Sequence, residues 1–141
     1  MPDANMNDIV SEMARAVSGI WMVTLIDNDS MVLASWQAPD NKVSPDALGG
    51  FMQIFNNAVT IFKQSPVGFS NFNDIIFSTT ILHQVIKPIA DANCFIVVSA
   101  PRSVPLGMIR STVNSFAPRL EQALPGRQAS PRKDGMGTII P

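Results

Sequence analysis

Charge is scarce in this chain. Asp, Glu, Lys and Arg make up 15% of its 141 residues, against about a quarter in an ordinary soluble domain. Hydrophobic residues reach 46%. A monomer of that composition has too few polar residues to cover its surface, which points to an oligomer. The net charge of −1 leaves no broad electrostatic case for nucleic acid or an anionic membrane. A single cysteine, Cys94, excludes an internal disulfide framework and fits a reducing cytoplasm. No apolar run approaches the roughly 18 residues of a membrane span, and no basic-then-apolar leader opens the chain.

Catalytic and ligand-binding patterns are missing too. His83 is the only histidine, and no motif supplies it with a nucleophile and an orienting acid. It reads as a structural or interface residue. Cys94, in a buried-type strand, reads as a small hydrophobe. Asp27-Asn28-Asp29 opens like a calcium loop, but Val32 and Ala38 stand where that loop needs Gly and Glu. Gly49-Gly50 is not followed by Lys-Ser/Thr at phosphate-loop spacing, and no zinc-ligand cluster exists. Arg102 and Arg110 flank the start of the last helix and could hold an anion there, with solvated arginines the plainer reading. The sequence thus predicts no enzyme, no metal and no cofactor.

What is present is a well-punctuated set of elements within one domain. Asn5–Ser18 places Met6, Ile9, Val10, Met13 and Val17 on one helical face, and Gly19 ends it. The apolar runs Ile20–Ile26 and Met31–Trp36 flank the turn composition Asp27-Asn28-Asp29-Ser30, which predicts a hairpin. Trp36, last in its strand, reads as core or rim, with an exposed contact role the alternative. Asp74–Thr79, Ile81–Ile86 and Cys94–Ala100 are three further strands, with Pro88 closing the second and Asp91-Ala92-Asn93 the next turn. Pro105–Leu124 is the last helix, interrupted by Pro118. The order is α-β-β-α-β-β-β-α, an α/β (α+β) chain of mainly antiparallel pairing with helices on both sheet faces. Residues 1–124 form the domain and carry a net −3; residues 125–141 carry +2 and read as a flexible basic tail.

The middle helix, Ser44–Gln64, is the most informative stretch. Ser44 is an N-cap, Pro45 suits the first turn and Asp46 suits its dipole. Beyond them Lys63 is the only charge. A surface helix normally shows an apolar stripe of roughly 100°; this one is apolar over more than half its circumference. It must be covered on two sides, by its own sheet and by a second chain. Gly49 and Gly50 read as points of close backbone approach, and Gln53, Asn56, Asn57, Thr60 and Gln64 form its polar stripe.

Several of these features together resemble the roadblock family, relatives of a dynein light chain. Over about residues 5–124, Gly19-Ile20-Trp21, Asp27 and Val32-Leu33-Ala34-Ser35 are similar to the family's first hairpin. Lys87-Pro88-Ile89 resembles the end of its fourth strand, and Leu106-Gly107-Met108-Ile109-Arg110 the start of its last helix. Ser30 departs from the family's usual turn Gly, and the basic tail is not a family feature. The resemblance implies a five-stranded antiparallel sheet with the middle helix on one face and the terminal helices on the other. It implies a homodimer joined through the third strands and the middle helices, with Gly49, Gly50, Ile54, Phe55, Ala58, Ile61, Ile75 and Phe77 at the contact. Prokaryotic members commonly partner small Ras-like GTPases. The function expected is therefore a cytoplasmic, non-enzymatic homodimeric regulator or scaffold for such a GTPase, acting on its GTP hydrolysis. Gln53, Asn56, Asn57, Thr60 and Gln64 are the expected partner-binding surface. A structural adaptor in a cytoskeletal or motility assembly and a small-molecule sensor are the alternatives. Nucleic-acid binding and membrane insertion are not expected.

Overall fold

The computed structural model describes residues 5–44, 47–64, 73–90 and 93–124. Three helices surround one sheet: α1 (Met6–Ala16), β1 (Met22–Asp27), β2 (Val32–Gln37), α2 (Leu48–Lys63), β3 (Ile75–Ser78), β4 (Leu82–Ile89), β5 (Cys94–Pro101) and α3 (Leu106–Ala123). The sheet is antiparallel throughout, in the order β2-β1-β5-β4-β3. The expected first-turn residues Pro45 and Asp46, the turn residues Asp91 and Ala92, and the tail 125–141 lie outside the described residues.

Local chemistry accounts for the boundaries. Asn5 caps α1, its Oδ1 accepting from the Asp8 amide at 2.9 Å. In the β1–β2 hairpin Asp27 Oδ1 accepts from the amides of Asp29 and Met31, both at 2.9 Å. That bracing holds Ser30 at φ +67°, in the left-handed region glycine enters most easily. At the β3–β4 turn Thr79 Oγ1 accepts from the amides of Ile81 and Leu82.

The register separates the two sheet faces. Val23, Leu25, Val85, Ile96 and Val98 face α1 and α3, packing with Ile9, Met13, Ile109, Val113 and Leu120. Met22, Ile26, Ile86, Phe95 and Val97 face α2, packing with Leu48, Met52, Phe55 and Val59. Trp21 is buried on the α2 side, and Trp36 is half-buried against the opposite core.

β4 runs three residues beyond the expected Ile86, passing through Pro88 to pair Ile89 with Cys94. The bond pattern explains how. Thr79 N donates to Leu82 O, so the even-numbered groups of β4 face β3. β3 reaches only as far as Ile86. The missing Pro88 N–H therefore falls on an edge with no neighbouring strand among the described residues, where it breaks no ladder bond.

Candidate functional site

α2 presents three stripes, each running along the helix at alternating steps of three and four residues. Leu48, Met52, Phe55 and Val59 are buried against the sheet. Gln53, Asn57, Thr60 and Gln64 are exposed. Between them runs an apolar flank: Phe51 and Ala58 are half-buried, while Ile54 and Ile61 are 53% and 64% exposed. Phe51 fixes which way that flank faces, because its ring lies 5.6 Å from the ring of Phe77 on β3. The apolar flank thus borders edge strand β3, whose Ile75 and Phe77 are partly buried on the same side.

Two of the expected site residues sit elsewhere on the helix than in their expected stripes. Phe55 has no exposed surface and stacks edge-on against Phe95 at 4.8 Å. It belongs to the buried stripe, and Phe51 rather than Phe55 shares the apolar flank with Ile54 and Ala58. Asn56 is half-buried and off the exposed polar stripe, and its carbonyl accepts the Thr60 hydroxyl at 3.0 Å. Gly50 is exposed, and a Cβ added there meets nothing within 4 Å, so the protomer itself does not require the glycine. Gly49 lies beside it in the first turn of α2.

The two edges of the sheet differ. Ala38 N donates to Trp21 O, which by alternation turns the Ser35 amide of β2 outward. Asn7 on α1 reaches that amide, with Oδ1 accepting at 3.3 Å. The β2 edge is blunted by its own helix. On β3 the same alternation turns Ile76 and Ser78 outward, and no described backbone hydrogen bond reaches that outer side.

The chemistry-bearing residues are structurally engaged. His83 is buried, its Nδ1 2.8 Å from Ser78 Oγ. Cys94 is buried beside Ile89 in the α1–α3 core. Arg110 makes a two-point contact with Asp74, Nε to Oδ2 at 2.8 Å and Nη2 to Oδ1 at 3.3 Å. Arg102 Nη1 donates to the Thr79 carbonyl at 2.7 Å. Neither arginine is left poised for an anion, as the sequence had allowed. Asp74 and Asn7 carry roles that the sequence did not reveal, since their partners lie 36 and 28 residues away. Among the described residues no group of three or more His, Cys, Asp or Glu is placed to hold a metal, and no helix is long and apolar enough to cross a membrane.

No family model matches the chain, and no curated protein does. Solved structures do. An MglB in a tetrameric arrangement superposes with a TM-score of 0.70 at 18% identity, over 83% of this chain and 88% of that one. MglB of Myxococcus xanthus gives 0.69 at 13% identity, over 81% and 89%. A Roadblock/LC7 domain of Streptomyces avermitilis gives 0.64 at 9% identity, over 83% and 95%. The chain has the roadblock fold.

Proposed function

We propose that the protein is a non-enzymatic homodimeric scaffold or regulator that binds a small Ras-like GTPase. One observation carries the homodimer: an edge strand with outward backbone groups lies beside an exposed apolar flank of α2, while on the opposite edge Asn7 of α1 takes the outward Ser35 amide. Pairing two β3 strands satisfies the outward groups of Ile76 and Ser78. It also lays Ile54, Ala58 and Ile61 of one α2 against those of its twin, with Gly50 allowing close approach and Ile75 and Phe77 beneath. The uneven distribution of apolar surface on α2 supports this arrangement. Two helices so paired set their polar stripes side by side, and Gln53, Asn57, Thr60 and Gln64 become the partner platform, with Asn56 at its margin. The partner class rests on the roadblock resemblance. A scaffold needs no catalytic residue of its own, because ordering the switch loops of a GTPase alters hydrolysis by itself.

The test is a pull-down with GTP- and GDP-loaded small GTPases from the same cell, run beside a hydrolysis assay. The expected result is nucleotide-selective capture together with altered hydrolysis. Absence of binding in both nucleotide states overturns the partner. Binding with unchanged hydrolysis moves the protein to the adaptor class.

A further inference from the structure

β3 is poorly equipped to stand as an edge. It has four residues, one neighbouring strand among the described residues and no fully buried residue. An element with so few buried contacts frays readily. Yet three long cations, from β4, α3 and the loop after β5, hold its two ends. At the start, Lys87 of β4 donates to the Asn73 carbonyl at 3.1 Å and to Asn73 Oδ1 at 3.2 Å. Next to it, Arg110 of α3 grips Asp74, whose side chain is only 9% exposed. At the far end, Arg102 holds the turn twice, its amide donating to the Ile81 carbonyl at 2.9 Å and its guanidinium to that of Thr79.

We propose that Arg110, Arg102 and Lys87 form a clamp that keeps β3 ordered in the free protomer and so sets the affinity with which it pairs with a second copy. The inference rests on the homodimer reading above and adds to it the residues that tune assembly. The physical reason is preorganisation. A strand already fixed at both ends gives up little conformational freedom on pairing, so more of the contact energy appears as affinity. Arg110 acts as a positioning residue: it is held on Asp74 and leaves the outward groups of Ile76 and Ser78 unencumbered. The fork of a guanidinium suits a carboxylate at two points, which a lysine does not reproduce.

The test combines sedimentation equilibrium with amide hydrogen exchange on the full chain, for the wild type, Arg110→Ala, Arg102→Ala, Asp74→Asn and Asp74→Asn/Arg110→Ala. Arg110→Ala should weaken the dimer by about tenfold or more. It should speed exchange in β3 and its flanking turn while β1 and β5 keep their protection. Asp74→Asn should do the same, and the double variant should be no worse than either single one. Two results overturn the clamp: an unchanged dimer constant with unchanged β3 exchange in Arg110→Ala, or an equal loss of protection across β1, β5 and β3, which marks a general stabilising role. If the wild type stays monomeric at every concentration the dimer reading fails by itself. Exchange in the monomer then decides whether the cations hold the edge.

Discussion

Gln84 illustrates how one polar residue is accommodated in an apolar layer. It has no exposed surface, sits mid-strand in β4 and lies in register with Ser99 and Phe77 on the α2 face. Its Nε2 donates to Ser99 Oγ at 2.9 Å, and its Oε1 is buried without a partner among the described residues. An unmet buried acceptor costs more than a made bond returns. Ser99→Ala strips the amide of its remaining contact and should cost about 1–3 kcal/mol. Gln84→Met combined with Ser99→Ala removes both polar groups and should be close to neutral or stabilising. Urea midpoints of the three variants check this. Phe55 marks the other extreme. With zero exposure and an edge contact to Phe95, its replacement by Ala should cost about 3–5 kcal/mol, read in the same titrations. A contact residue would instead lose dimer affinity and keep its protomer stability.

At the scale of elements, α1 and α3 lie together under the sheet and are joined across their solvent side. Arg119 grips Glu12 at two points, both 2.9 Å, and its guanidinium sits 5.1 Å from the centre of the Phe116 ring. The hydrogen bond to Arg119 holds the Glu12 carboxyl below its ordinary value of 4.5. A carboxyl depressed in the folded state adds stability that is complete above its unfolded value and fades as pH falls through the folded one. The thermal midpoint of the wild type should therefore exceed that of Glu12→Gln by a small margin at neutral pH. The margin should close as the pH drops below 4.5, and melts across pH 3 to 7 read it. A margin that persists at pH 3 would give the contact a non-ionic origin. The existence of α1 was legible because Met6, Ile9, Val10 and Met13 keep helical spacing and Asn5 caps it, but its end was misplaced: the helix stops at Ala16 with Val17 already extended, two residues short of the expected Ser18 and Gly19 stop. The length of β4 was not legible. Pro88 reads as a stop in sequence, and only the early end of β3 shows that its missing N–H offends no neighbour.

Across the whole molecule, the sheet is covered on both faces but unequally at its edges, and that inequality organises everything proposed about function. The excess apolar surface of α2 could be seen in the sequence because uncharged residues fill most of Leu48–Lys63. Which apolar residue faces in and which faces out could not. Phe55 and Ile54 are neighbours in the chain, and only the place of β3 beneath Phe51 sorts them. The clamp was invisible for a similar reason, since Arg110 and Asp74 meet through topology rather than spacing. The sorting yields a clean separation. Ile54→Asp puts a carboxylate on the exposed flank, where the lone protomer leaves it in water. The protomer should stay folded, with a thermal midpoint lowered only by the association it loses, since the change itself is a surface one. In the paired state the same carboxylate faces its twin across an apolar seam, where burial of a charge is strongly unfavourable. The variant should therefore sediment as a folded monomer at concentrations that dimerise the wild type. Asn57→Ala combined with Gln64→Ala, on the polar stripe, should sediment as the wild type does and lose GTPase capture. A monomeric Asn57→Ala/Gln64→Ala variant, or a dimeric Ile54→Asp, would place the seam on some other face of α2.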